Sequence, residues 1–155
     1  MTKRILFVCL GNICRSPAAE GILRAKAKER GLSLYIDSAG TGAWHAGDPP
    51  DARMIAAAGK RGIDISHQRA RKVELSDFYE FDLILSMDLS NHTDLMEQAP
   101  PNRECDIRLF LDFADCEERE TPDPYYGGEG GFEFVLDLVA RGAEGLLDHL
   151  ENESE

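Results

Sequence analysis

The chain has 155 residues, of which 43% are hydrophobic and 30% are charged, and its formal net charge is −12. A disordered tail or an integral membrane protein needs a more one-sided composition, so both classes are excluded, and the length suits one domain spanning residues 1–155. An acidic chain repels nucleic acid and anionic membrane surfaces, so we expect neither as a partner.

The negative charge is concentrated in the last third of the chain. Residues 112–155 contain 14 acidic side chains and two basic ones, whereas residues 1–111 contain 15 of each. A negatively charged substrate would therefore need a local electropositive site.

The targeting signals and the cysteines indicate the compartment. The apolar run at residues 5–10 is too short for a signal peptide, and no stretch approaches the roughly 20 apolar residues of a membrane span. The four cysteines, at positions 9, 14, 105 and 116, form no C-x-x-C pair and no regular framework. We therefore predict a cytoplasmic protein.

The first third of the chain alternates a buried strand, a helix and a second strand. Residues 5–9 are nearly all apolar, as in a central strand that is covered on both faces. Residues 18–30 are mostly good helix formers, with Ser16 as a candidate N-cap, Pro17 in the first turn and Gly31 as the stop. The run at residues 34–36 predicts a second strand.

The rest of the chain continues this alternation. Its predicted helices lie at residues 51–62 with Asp51 as cap, 75–81 as a short helix or turn, 91–98, and 132–150 with Phe134, Leu138 and Gly142 at helical spacing. Its predicted strands lie at residues 83–85 and at the partly polar segment 105–110, which suits a sheet edge.

Four strands joined by right-handed helical crossovers predict an α/β fold: a three-layer α/β/α domain with a four-stranded parallel sheet, Rossmann-like in outline. Such sheets bind ligands at the carboxyl ends of their strands. The segments that leave those ends are residues 9–16, 38–44, 87–91 and 112–126.

The loop between the first strand and the first helix has the outline C-x5-R-S, from Cys9 to Arg15 and Ser16. A strand-to-helix loop presents successive N–H groups at the positive end of a helix, which suits a phosphate dianion and favours a thiolate at Cys9. Gly11 and Asn12 tolerate the left-handed backbone of such a loop, and the guanidinium of Arg15 can bind two phosphate oxygens. The pattern predicts phosphoryl transfer through a phosphocysteine, with a buried structural cysteine as the alternative.

A candidate general acid follows in the last third of the chain. Asp123 stands between two prolines, which restrict the backbone and fix the direction of its carboxyl group. An acidic residue in an ordinary Pro-rich turn is the competing interpretation.

Four segments together resemble the low-molecular-weight protein tyrosine phosphatase family. They read V-C-L-G-N-I-C-R-S-P at residues 8–17, D-S-A at 37–39, S-M-D at 86–88 and D-P-Y-Y at 123–126. The resemblance covers nearly the whole chain and implies the family's fold, with hydrolysis of protein phosphotyrosine and no metal or cofactor. Tyrosine-phosphorylated proteins would be the partners, a bacterial tyrosine kinase being one candidate, and we expect a monomer.

The resemblance also implies a role for each site residue. Cys9 would be the nucleophile, Arg15 the phosphate clamp, and Asp123 the acid and later the base. The remaining implied residues are the phosphate-binding loop Leu10, Gly11, Asn12, Ile13, Cys14 and Ser16, the loop supports Ser38 and His67, and the ring pocket Trp44 and Tyr125, with Leu10 and Ile13 also against the ring. Cys14 is further implied as the partner of Cys9 in a reversible, protective disulfide.

Several alternatives stay open. An arsenate reductase of the same fold needs further cysteines near the third strand, and residues 83–89 contain none. A protein arginine phosphatase resembles the chain but carries Thr at the position of Ile13 and lacks the paired Tyr125 and Tyr126. A non-catalytic phosphate-binding module should have lost Cys9, Arg15 or Asp123. Residues 67–72 form either a basic rim for an acidic peptide or a solvated loop.

Overall fold

The computed structural model describes residues 2–124 and 130–153, and in these ranges four strands form one parallel sheet. The strands are β1 (Lys3–Cys9), β2 (Leu34–Gly40), β3 (Leu83–Ser86) and β4 (Asp106–Leu109). They lie in the order β2-β1-β3-β4, with β1 in register with both β2 and β3. The α/β/α prediction is confirmed, and so is the edge position of the fourth strand.

In the described ranges, five helices cover the two faces of the sheet. They are α1 (Arg15–Glu29), α2 (Ala52–Gly59), α3 (Asp77–Glu80), α4 (Leu89–Gln98) and α5 (Gly130–Glu153), with a 3₁₀ turn at Phe110–Phe113. Buried side chains of α1, α2 and α5 form one core with Ile5 and Phe7 of β1. Leu6 and Val8, which alternate with them, pack on the opposite face against Phe78 of α3 and Leu95 of α4. Residues 5–9 of β1 are therefore all apolar, because both faces of this stretch are covered.

The start of α1 differs from the prediction that Ser16 caps it. The N-cap is Cys14, which makes no side-chain capping bond, and Ser16 lies inside the first turn. The Ser16 hydroxyl instead bonds toward the preceding loop, so it serves the loop rather than the helix end. The end of α1 is as predicted, since Gly31 adopts a φ of 70° and the N–H of Leu32 bonds to the carbonyl of Ala27.

The predicted face of the last helix is wrong at one position. Phe134 is 46% exposed, whereas Leu138 and Gly142 are buried as expected. The core face of α5 begins instead at Phe132, with Val135 and Leu136 behind it. A Cβ atom on Gly142 would come within 2.6 Å of the Phe110 ring, so this glycine lets the helix approach the 3₁₀ turn.

Within the described ranges, none of the helices has an apolar stretch long enough to cross a membrane.

Candidate active site

The loop that follows β1 curls around the sulfur of Cys9. Asn12 adopts a left-handed φ of 59°, which brings its own N–H within 3.3 Å of Cys9 Sγ. The hydroxyl of Ser16 lies 3.0 Å from the same sulfur. Cys9 is 2% exposed at the carboxyl end of the central strand and just before the N-terminus of α1, which is the placement that the sequence predicts.

The side chain of Asn12 stabilises this loop through three hydrogen bonds. Its amide nitrogen donates to the hydroxyls of Ser16, at 2.8 Å, and Ser38, at 3.0 Å. Its amide oxygen accepts the backbone N–H of Arg71 at 3.0 Å. Since Asn12 is 3% exposed, these three bonds replace water around a buried amide. Ser38 is therefore brought to the loop as the resemblance implies.

A buried carboxylate continues this network on the far side of Ser38. The Ser38 hydroxyl donates to Glu20 at 2.8 Å, and Arg24 donates to the other oxygen of Glu20 at 2.9 Å. Burial raises the pKa of Glu20, and the bonds from Ser38 and Arg24 offset part of that rise. A chain of polar contacts thus runs from Cys9 through Ser16, Asn12, Ser38 and Glu20 to Arg24, and no local sequence pattern predicts the part beyond Ser38.

His67 is not brought to the phosphate-binding loop. Its side chain is exposed, and among the described residues its electrostatic neighbour is the carboxylate of Asp64. The next residue, Gln68, is the one that turns inward: it is 8% exposed and donates to the carbonyl of Pro17 in the first turn of α1 at 3.1 Å. The backbone N–H of Arg71 supplies the bond to Asn12, so the predicted support from His67 needs correction.

The guanidinium of Arg15 has partners on both of its terminal nitrogens. Its Nη1 donates to Asp88, at 2.6 Å, and to the carbonyl of Thr121, at 3.0 Å, while its Nη2 lies 3.6 Å from Asp123. Burial alone would lower the pKa of Arg15, but Cys9, Asp88 and Asp123 together raise it. The guanidinium therefore stays cationic although it is only 2% exposed.

A pocket of about 360 Å³ lies above this loop. Its lining residues are Cys9, Leu10, Gly11, Ile13, Cys14, Arg15, Trp44, His45 and Asp123. All three predicted catalytic residues face it, and Trp44 stands at its mouth with 72% of its surface exposed. Exposed indole and apolar walls above a phosphate-sized site suit an aromatic ester. Tyr125 and Tyr126 lie outside the described residues.

Two residues contact this site although no role was predicted for either of them from the sequence. His45 lines the pocket, lies 3.1 Å from where a Cβ on Gly11 would stand, and pairs with Asp48 at 3.3 Å. Asp88 anchors Arg15 and also caps α4 by accepting the N–H of Asn91 at 2.7 Å. Its position directly after the third strand was the available signal for Asp88, whereas no pattern indicated His45.

Cys14 lines the same pocket as Cys9. It lines the pocket although it is only 4% exposed. Burial raises the pKa of Cys14 far above its ordinary range, and the negative charges of Asp51, Cys9 and Asp123 raise it further. Cys14 is therefore a protonated thiol at neutral pH.

The described residues contain no cluster of three His, Cys, Asp or Glu side chains that could hold a metal ion. The polar groups next to Cys9 are the N–H of Asn12 and the hydroxyl of Ser16, and the guanidinium of Arg15 lines the pocket together with His45 and Asp123. The N–H, hydroxyl and guanidinium groups of this set are donors that suit an oxyanion.

Comparisons with known proteins agree with this geometry. The family model described as low molecular weight phosphotyrosine protein phosphatase matches residues 4–155. A low molecular weight phosphotyrosine protein phosphatase of Schizosaccharomyces pombe is 46% identical over 138 residues, which are 85% of this chain and 88% of the yeast chain.

Solved structures show the same likeness. A protein tyrosine phosphatase of Entamoeba histolytica superposes with a TM-score of 0.94 at 39% identity, covering 99% of this chain and 100% of that one. A Drosophila arginine phosphatase superposes with a TM-score of 0.90 at 36% identity, covering 94% of this chain and 96% of that one. The architecture is therefore shared by enzymes with different phosphorylated substrates.

Proposed function

The chain belongs to the low-molecular-weight phosphotyrosine protein phosphatase family, and from that premise we propose that it hydrolyses phosphotyrosine in proteins through a phosphocysteine. One observation carries the proposal: Cys9, Arg15 and Asp123 converge on a single pocket whose mouth is formed by Trp44. The pocket joins a nucleophile, an oxyanion clamp and a proton donor with an aromatic wall, which are the parts that aryl phosphate hydrolysis needs.

The first chemical step transfers the phosphoryl group to sulfur. The Cys9 thiolate attacks phosphorus, the S–P bond forms, and the P–O bond to the tyrosine ring breaks. The phenolic oxygen leaves with a proton from Asp123. Arg15 and the N–H groups of the loop hold the three phosphoryl oxygens, which stabilises the charge that spreads over them in the transition state.

The second step returns the enzyme to its starting state. Asp123, now a carboxylate, takes a proton from a water molecule whose oxygen attacks phosphorus. The S–P bond breaks, inorganic phosphate leaves, and the electron pair returns to Cys9. The bond between Ser16 and Cys9 Sγ, at 3.0 Å, places a hydroxyl where it can stabilise this sulfur as a leaving group.

The test of this function is turnover in the presence of a chelator. Wild type, Cys9→Ser and Cys105→Ser are compared on phosphotyrosine, phosphoserine and phosphoarginine peptides. Cys105 is the matched control, since it is a buried thiol in the core between the sheet and α4. We expect hydrolysis of phosphotyrosine that Cys9→Ser abolishes and Cys105→Ser retains. Loss of activity with the chelator would instead indicate a required metal.

Phosphoarginine is the second candidate substrate. A solved arginine phosphatase is 36% identical to this chain and has the same fold, which makes the comparison necessary. Ile13 lines the pocket here, and an apolar wall beside Trp44 favours a phenyl ring over a guanidinium. A higher kcat/KM for phosphoarginine than for phosphotyrosine would reverse the assignment.

We further propose that Cys14 protects the nucleophile under oxidation. Peroxide converts the Cys9 thiolate to a sulfenic acid, and attack by the Cys14 sulfur then forms a disulfide and releases water. The neutral sulfenic acid no longer adds to the negative charges that raise the pKa of Cys14, so its thiolate becomes more accessible. A thiol reductant restores both cysteines. Equal recovery of wild type and Cys14→Ser after peroxide treatment and reduction would refute this role.

The cytoplasm is the compartment that this chemistry favours. All four cysteines are free thiols, and a catalytic thiolate needs a reducing environment to persist. Expression of the tagged chain followed by fractionation checks this placement, and recovery outside the cytoplasmic fraction would contradict it.

A further inference from the structure

Asn12 is the strained point of the phosphate-binding loop. Among residues 2–124 and 130–153, it is the one non-glycine residue with a left-handed φ, at 59°. Asparagine tolerates this conformation but does not prefer it, so surrounding contacts must hold it there. Two of its three side-chain contacts come from the hydroxyls of Ser16 and Ser38, and the third comes from the backbone N–H of Arg71.

The backbone around Arg71 also bonds to the end of β2 and to the loop that follows Trp44. We call residues 70–73 the Arg71 segment. It runs beside the end of β2, where the N–H of Gly40 donates to the Arg71 carbonyl at 2.8 Å and the N–H of Val73 donates to the Gly40 carbonyl at 2.9 Å. One residue earlier, Ala70 exchanges backbone bonds of 2.8 Å with the loop at residues 47–48, which follows Trp44. The segment thus joins the phosphate-binding loop to the pocket wall.

The side chain of Arg71 anchors the segment to the fold. Its guanidinium binds Asp77 through two bonds, of 2.9 and 3.1 Å, and Asp37 of β2 through bonds of 3.0 and 3.3 Å. The Asp77 side chain is only 4% exposed. Burial alone would lower the pKa of Arg71, but the two carboxylates hold it above its ordinary range. Such a planar fork between two carboxylates suits arginine and cannot be reproduced by lysine.

The neighbouring basic residue has no such anchor. Arg69 is exposed, and within the part of the chain that the structure describes it donates to the carbonyls of Ser66 and Gln68 in its own turn. The two arginines therefore differ in what they do, although they are two residues apart and carry the same charge.

We propose that Arg71 is a positioning residue for phosphate binding: its ion pairs with Asp77 and Asp37 hold the backbone N–H that fixes Asn12 in the left-handed conformation. The inference rests on the proposed function, since the loop that Asn12 shapes is the proposed phosphate site. Without the Arg71 side chain, the Arg71 segment is no longer fixed to Asp77 and Asp37. Asn12 then loses its support, and the N–H groups of the phosphate-binding loop no longer point to one oxyanion position.

The experiment compares Arg71→Met with Arg69→Met, which removes the same charge nearby. Orthovanadate affinity is measured by calorimetry, and kcat and KM for an aryl phosphate are expressed per active site counted by alkylation of Cys9. A displacement of about 1 Å in a catalytic loop costs up to about 100-fold, so we expect Arg71→Met to weaken vanadate binding and raise KM by about tenfold or more. Arg69→Met should stay within about twofold of wild type.

A purely structural role for Arg71 gives a different result. It lowers the number of active sites but leaves vanadate affinity and KM per site unchanged. Because Arg71→Met leaves a buried carboxylate without its partner, Asp77→Asn and Arg71→Lys serve as milder variants, and both should fall between wild type and Arg71→Met. Vanadate affinity within about twofold of Arg69→Met in all three variants would overturn the inference.

Amide hydrogen exchange separates this inference from the proposed function. The N–H of residue 71 bonds to a buried oxygen, so it should exchange slowly in wild type and Arg69→Met and faster in Asp77→Asn and Arg71→Lys. If wild type hydrolysed no phosphate ester, the proposed function would fail, and this exchange would still decide whether the ion pairs hold the N–H in place. Equal exchange in all variants would refute that link.

Discussion

Replacement of Gly40 by alanine tests how closely the phosphate-binding loop is supported by β2. Gly40 ends this strand, is paired with Cys9 in the parallel register, and is buried. A Cβ atom added there would lie 2.8 Å from the carbonyl oxygen of Leu10 and 3.2 Å from the Cβ of Asn12. The same carbonyl accepts the N–H of Gly42 at 3.0 Å, so it cannot turn away without breaking that bond.

The size of the displacement sets the expected effect. Ordinary van der Waals contact begins at 3.4 Å, so the loop and β2 must separate by about 0.6 Å. Catalytic groups must be held within about 0.5 Å, and an error of 1 Å costs up to about 100-fold. We therefore expect kcat/KM for an aryl phosphate to fall about tenfold, which corresponds to about 1.4 kcal/mol. Overpacking should also lower the free energy of unfolding by about 1–3 kcal/mol. Alanine reduces the conformational entropy of the unfolded chain, which offsets less than about 1 kcal/mol of this loss.

The assay combines kinetics with urea unfolding and includes Gly59→Ala as a control. Gly59 ends α2, and a Cβ there would meet nothing within 4 Å. That control should keep its activity and gain about 0.5–1 kcal/mol, because alanine favours the helix. If Gly40→Ala retained kcat/KM within about twofold of wild type, the loop would be free to adjust and the argument from close contact would be refuted.

Three further substitutions test separate parts of the site. Asp123→Asn should lower kcat by about 100-fold or more on an ester with a poor leaving group and much less on one with a good leaving group, and equal losses in the two assays would reject the acid role. Burial raises the pKa of Glu20, so this carboxyl group stays protonated to a higher pH in the native state than in the unfolded state. The free energy of unfolding of wild type should therefore fall relative to that of Glu20→Gln as the pH rises above 4.5. Urea unfolding of both proteins from about pH 4 to about pH 8 measures this difference, and a flat or rising one would contradict the assignment. Asp51→Ala should lower the free energy of unfolding by about 1 kcal/mol because it removes the N-cap of α2. Bonds from Arg53 lower the pKa of Asp51, so this loss should become smaller as the pH falls below 3.8. Urea unfolding of wild type and variant above and below that pH measures the change.

The parts of the molecule that the sequence predicts are those with a local chemical signature. The apolar run of β1 can only be a doubly covered strand, and the glycine and asparagine that follow it allow a curl into the helix. Cys9 and Arg15 lie on one continuous loop, so their convergence needs no knowledge of distant segments. Asp123 was placed correctly because its segment leaves the carboxyl edge of the same sheet.

The parts that escaped prediction depend on contacts between distant residues. The bond from the Arg71 backbone to Asn12 spans 59 positions, and the pair of Arg15 with Asp88 spans 73. A backbone N–H carries no side-chain signal, so it cannot be recognised as a support from composition or spacing. The prediction that His67 supports the loop failed for a similar reason. In this irregular turn His67 is exposed and the next residue, Gln68, is buried, and no local pattern indicates which of the two turns inward.

The competing uses of one side chain explain the remaining error at the start of α1. Serine at a helix start is ordinarily a cap, since its hydroxyl accepts a free N–H. Here Asn12 and Cys9 take the Ser16 hydroxyl, and the cap position passes to Cys14, which makes no side-chain capping bond. Among the described residues, the N-cap side chain therefore leaves the first N–H groups of α1 without a capping bond. Such unsatisfied donors favour an oxyanion, so the failure of the capping rule marks the place where the substrate phosphate is expected to bind.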